Sequence, residues 1–178
     1  MLSIGLTGSR AEGRATEFSD WDFVVAAGDF PEVARDLPEL SAPLAPIAAQ
    51  WDRLSPHWCW MLMLHGPTKI DLLFLDEPHE LEPPWEATRE NLPGIDQHFW
   101  DWALWLRSKE AAGKRELVAT ELDKLLDHLL GPLGATTRPD SVAEAVAVYR
   151  DARAAAERRF GFEVPRELEA AVAGSLLA

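Results

Sequence analysis

Short apolar runs broken by polar turns fill the first 75 residues, and a helical apolar period takes over beyond residue 95. Residues 2–6 are apolar and stop at Thr7-Gly8-Ser9, which predicts a first strand. Residues 10–19 are polar and small and read as a short helical turn or loop. Residues 20–27 alternate and then run apolar through Trp21, Phe23, Val24 and Val25, predicting a second strand that Gly28-Asp29 ends. Pro31 suits the first turn of a helix, and Val33, Ala34, Leu37 and Leu40 give that helix an apolar side. Pro43 and Pro46 interrupt the next stretch, and a short helix is expected over residues 47–54. Residues 58–64 are strongly apolar, His65-Gly66-Pro67-Thr68 reads as a turn, and residues 69–75 as the returning strand of a hairpin.

The composition then shifts. Residues 76–84 hold three prolines and four acids, as a linker does. Phe99, Trp102, Ala103 and Leu106 line one side of a helix expected over residues 95–110, closed by Gly113. Leu117, Val118, Leu122, Leu125, Leu126 and Leu129 predict a second helix over 115–130, ended by Gly131-Pro132. Ser141 with Glu144 three residues on is a capping-box signature, and Gly161 closes the helix it opens. Pro165 starts a final short helix to Leu177. The fold class expected is α+β: a small mixed sheet of three or four strands over residues 1–84, then a helical bundle over 85–178.

Charge narrows the partners. Seventeen basic residues against thirty acidic ones leave a formal charge of −13. Binding to nucleic acid through phosphates needs a basic surface, so no nucleic-acid partner is expected. The same charge suits a cationic ligand, and solubility alone accounts for it equally well. Cys59 is the sole cysteine, which excludes an intrachain disulfide and a cysteine-based zinc cluster and fits a reducing cytoplasm. The first residues lack a charged segment followed by a long apolar run, and no stretch reaches eighteen apolar residues, so neither signal peptide nor membrane span is expected.

Two carboxylates stand two residues apart at Asp20 and Asp22. On a strand they share a face, and side-by-side carboxylates are tolerated when a cation lies between them. Oxygen ligands of this kind suit Mg²⁺, which also takes phosphate oxygens. Asp71, on a later strand, completes the set. Gly8-Ser9 lies ten residues before Asp20; the glycine allows close backbone approach to a ligand and the Ser9 hydroxyl can meet a phosphate oxygen. Arg10 or Arg14 is placed to offset triphosphate charge. A Gly-Ser turn or an Asp-X-Asp alone is usually unremarkable, but their combination at one spacing arises by chance in roughly one chain of this length in several hundred.

Thr7-Gly8-Ser9-Arg10 followed by Ser19-Asp20-Trp21-Asp22-Phe23 resembles the signature of the nucleotidyltransferase superfamily of the DNA polymerase β type. The order of the C-terminal half, with its Trp-rich helix, Glu116 to Asp123, and Phe160-Gly161-Phe162-Glu163-Val164-Pro165, is similar to aminoglycoside adenylyltransferases that modify streptomycin at its 6-position. Members usually have a helix before the first strand, and here the chain begins at that strand. The resemblance implies a nucleotidyltransferase lobe, a helical substrate-binding lobe, Mg²⁺ as cofactor and ATP as donor. The acceptor it implies is a small, hydroxylated, cationic molecule such as an aminoglycoside, and the enzyme a monomer or homodimer. Asp20 and Asp22 become metal ligands, and Asp71 a third ligand or the general base. Glu86, Asp96, Trp100 and Asp101 are candidate acceptor contacts, and Tyr149, the only tyrosine, a candidate nucleotide contact. Lys114 and Arg115 sit at a helical turn within possible reach of phosphates, and the five histidines lack metal-ligand spacing. Two other functions fit the sequence: a minimal nucleotidyltransferase that AMPylates a partner protein, and a non-catalytic nucleotide-binding module.

Overall fold

Strand register decides where the acids fall. In the computed structural model, which describes residues 2–66 and 68–176, five strands form one mixed sheet in the order β1-β2-β5-β4-β3. These are β1 (Leu2–Thr7), β2 (Trp21–Ala27), β3 (Ala48–Trp51), β4 (His57–Leu64) and β5 (Thr68–Pro78). β2 runs antiparallel to β1 and parallel to β5, and β4 is antiparallel to both β5 and β3. Pro67 of the expected hairpin turn and Leu177 of the expected last helix lie outside the described residues.

The chain divides into two compact units, Met1–Glu82 and Pro83–Ala178. In the first, side-chain alternation separates two faces of the sheet. Val25, Trp60, Leu62 and Phe74 point to one face and join Leu37 of helix α2 (Phe30–Ser41) in a core. Asp29 caps that helix by accepting from the Glu32 N–H at 3.1 Å, and Pro31 sits in its first turn, as the sequence predicts. The other face carries Asp22 and Asp71, which are register partners across the parallel β2–β5 pair.

The helix expected over residues 47–54 is instead β3. Trp51 pairs with Trp60 across β3 and β4, and its ring packs edge-on to Trp58 and Trp60 at 5.1 Å, with Phe30 at 6.1 Å. An apolar β4 leaves an open ladder of N–H and C=O groups that a helix cannot satisfy, and a fifth strand can.

The second unit holds α3 (Leu92–Ala111), α4 (Arg115–Leu125), α5 (Val142–Phe160) and α6 (Glu167–Leu176). Phe99, Ala103 and Leu106 are fully buried and Trp102 nearly so, as their spacing predicts. Ser141 accepts from the Glu144 N–H at 3.2 Å, and Gly161 adopts the left-handed conformation that ends α5. The helix expected over 115–130 changes character after Leu125, where residues 126–130 form a wider π turn. The Gly131 N–H reaches Leu126 O at 2.7 Å, and a Cβ there would stand 2.9 Å from that oxygen, so only glycine fits. No helix among the described residues is long and apolar enough to cross a membrane.

A buried ionic cluster ties α3, α5 and α6 together. Asp96 Oδ1 accepts from Tyr149 Oη at 2.5 Å, Arg153 Nη1 at 2.8 Å and Trp100 Nε1 at 3.1 Å. Arg153 also donates to Glu169, and Arg166 Nη2 donates to Glu157 at 2.6 Å. Burial raises both Glu157 and Glu169, but their arginine partners, with the Val164 N–H at Glu157, hold both below the ordinary glutamate range. A depressed carboxylate stabilises the fold above the unfolded pKa of about 4.3 and loses that contribution as pH falls through its folded value. Glu157→Gln should therefore lower the melting temperature at pH 7 and lower it much less near pH 3. Circular dichroism melts of both chains at the two pH values measure this.

Candidate functional site

Asp22 enters the site because β2 pairs with β5 in a register that sets it beside Asp71. Asp20 lies two residues earlier, just before β2 begins, and its side chain converges on the same place. The three carboxyl groups each offer an oxygen, and these oxygens lie within 4.8 Å of one another. Asp20 and Asp71 are buried and Asp22 is half-buried. At that separation each like-charged pair costs about 3 kcal/mol at an effective dielectric constant of 20, so the group needs a cation.

Lys69 supplies a positive charge within the protein. Two residues before Asp71 on β5, it points to the same face. Its ammonium donates to Asp71 Oδ2 and lies 3.9 Å from Asp20 Oδ2, with the side chain 4 % exposed. Sequence reasoning read Lys69 only as the first residue of a strand. The signal was present: the period-two rule that pairs Asp20 with Asp22 pairs Lys69 with Asp71.

Asp71 Oδ1 is buried and has no hydrogen-bond partner among the described residues. A buried carboxylate oxygen left in this way fits a metal ligand. Magnesium suits the donor set, which is all oxygen and drawn from two strands.

Gly8 locks the turn to the acids. It has φ of +67°, and a Cβ built on it would stand 2.1 Å from Asp22 Oδ2. Both the conformation and the close approach demand glycine. Gly8→Ala should displace the Asp22 carboxylate and cost about 1–2 kcal/mol for the left-handed backbone. Urea unfolding checks the stability loss, and a Mn²⁺ titration checks the damage to the site. Ser9 follows in the single turn α1 (Gly8–Ala11) and is half-buried.

The cationic candidates are engaged elsewhere. Arg10 Nε donates to Asp20 O at 3.0 Å and its Nη2 to Ser19 O at 2.6 Å, while the guanidinium lies 4.3 Å from the Trp21 ring centroid. Arg10 thus anchors the loop that delivers Asp20. Arg14 is exposed and pairs with Glu12.

Tyr149 corrects a sequence expectation. It is fully buried in the helical unit, stacked on Phe99 at 3.7 Å and bonded to Asp96, so its ring and hydroxyl are spent on helix packing. Burial and the adjacent Asp96 carboxylate push its phenol well above the ordinary tyrosine value. Asp96 and Trp100, expected at the acceptor, belong to the same core. Burial raises the Asp96 carboxyl against the pull of Tyr149, Arg153 and Trp100. Glu86 is exposed and Asp101 half-buried.

No protein-family model and no curated protein matches the chain. Among solved structures it is similar to an aminoglycoside 6-adenyltransferase from Bacillus subtilis, at 11 % identity over 94 % of this chain and 87 % of that chain, with a TM-score of 0.35. That is a distant resemblance, and the chemistry is read from the side chains of the site.

Proposed function

We propose that the chain is a magnesium-dependent nucleotidyltransferase that moves AMP from ATP to a hydroxyl of a small cationic acceptor such as an aminoglycoside. The observation that carries this reading is the convergence of Asp20, Asp22 and Asp71 within 4.8 Å, with Gly8 pressed against Asp22. Few structural roles reward three acids gathered beside a glycine turn, whereas phosphoryl transfer needs such a group to hold a cation.

Asp20, Asp22 and Asp71 would hold the metal, with Asp71 Oδ1 a buried ligand atom that has no hydrogen-bond partner among the described residues. Bound magnesium supplies charge neutralisation for the triphosphate and lowers the pKa of the attacking hydroxyl. Gly8-Ser9 keeps backbone close to the acids and offers the Ser9 hydroxyl to a phosphate oxygen. The acceptor oxygen forms a bond to the α-phosphorus, the bond from that phosphorus to the α–β bridging oxygen breaks, and pyrophosphate departs. The hydroxyl proton passes to solvent. The acidic balance of the chain, −13, favours a cationic acceptor.

A pyrophosphate-release screen tests this, with the four nucleoside triphosphates each offered with a panel of aminoglycosides and other hydroxylated compounds. Release with ATP, magnesium and streptomycin is the expected result. Silence across the panel would overturn the small-acceptor reading.

A further inference from the structure

Lysine is rarely buried without a partner, because removing an ammonium group from water is costly. Lys69 is 5 % exposed, and its charge is placed among the acids read above as metal ligands. We infer that Lys69 is a tethered internal cation that holds the acidic cluster together before metal arrives and thereby sets the metal affinity. The inference rests on the reading of Asp20, Asp22 and Asp71 as ligands.

The geometry argues for it at three points. The ammonium touches acids from two segments, Asp71 on β5 and Asp20 ahead of β2, so it bridges the strands that build the site. It engages Oδ2 of Asp71 and leaves Oδ1 without a partner among the described residues. Three carboxylates and one ammonium leave a formal charge of −2, which one divalent ion balances.

Two consequences follow from electrostatics alone. Without Lys69 the acids repel one another unrelieved, so the metal-free fold is weakened. The same loss removes a positive charge beside the incoming ion, so divalent affinity rises. A lysine whose ion pair lay apart from the metal ligands would produce the first effect without the second.

The test compares the wild-type chain with Lys69→Met, without nucleotide, by calorimetric titration with MnCl₂ and by thermal unfolding with and without the metal. The expected results are a lower melting temperature for metal-free Lys69→Met, a larger rise on adding Mn²⁺, and affinity tighter by about tenfold or more. Lys69→Arg keeps the charge and should bind Mn²⁺ close to the wild-type affinity. Lys69→Gln is a second neutral variant. Neutral variants that fold only with Mn²⁺ present would support the inference, and failure to fold even at saturating Mn²⁺ would overturn it. Binding by the wild type with unchanged or weaker binding by the neutral variants would sink the role of Lys69 alone. No Mn²⁺ binding by any chain would sink the metal reading along with it.

Discussion

Asp22→Asn should lower nucleotidyl transfer by about a thousandfold or more while the chain stays folded, since a metal's charge stabilisation is worth several kcal/mol and each 1.36 kcal/mol is tenfold in rate. Asparagine keeps the size and shape of the side chain but removes a negative charge and one strong oxygen ligand. Asp22 stands against Gly8 and in register with Asp71, so the change falls where turn and acids meet. The metal-free fold should not suffer, because removing one of three crowded carboxylates relieves repulsion. Asp20→Asn should behave similarly in rate, with a further loss because Asp20 also lies 3.9 Å from Lys69. Pyrophosphate release measures the rate and circular dichroism melts measure the fold. Near-normal turnover in both variants would refute the assignment of the acids.

The largest effect on stability is expected at Arg153. Its side chain is 5 % exposed and that of Asp96 3 %, and the two form an ion pair at 2.8 Å between α5 and α3. Arg153→Met leaves the Asp96 carboxylate buried, with only the Tyr149 hydroxyl and Trp100 indole still donating. Breaking one side of a buried pair costs about 3–5 kcal/mol, because the remaining charge has lost water and gained nothing. Glu169 would lose one of its arginine partners in the same step. The double variant Asp96→Leu with Arg153→Met should recover part of the loss, since no charge is then stranded. Urea unfolding followed at 222 nm measures all three chains. Equal stability of Arg153→Met and wild type would show that the cluster contributes nothing net.

The sequence disclosed the acids because their spacing is local. Asp20 and Asp22 share a strand period, and Gly8-Ser9 precedes them at a fixed interval, so no tertiary knowledge is needed to group them. Asp71 could be added because it lies in an apolar run that reads as a strand. What local patterns could not give was occupancy by neighbours. Lys69 was legible by parity, yet its contact with Asp20 depends on how β5 lies against the segment before β2. Tyr149 and Trp100 carry functional-looking groups, and only their packing against Phe99 and Asp96 shows them to be core. β3 was misread for a similar reason. Ala48-Ala49-Gln50-Trp51 has no strong strand pattern of its own, and becomes a strand because β4 offers an unpaired edge.

The matched positions of Asp22 and Asp71 bear on which length changes the gene can absorb. Adding or deleting a residue in the loops between β2 and β5 alters only connections that run over the surface. A single-residue insertion inside either strand differs, because it turns every later side chain to the opposite side. Placed in β5 ahead of Asp71, it would turn Asp71 toward the face that holds Leu37, away from the other two acids. Descendants of this chain can therefore vary freely in the length of the path between their acids, but not in the parity with which each arrives.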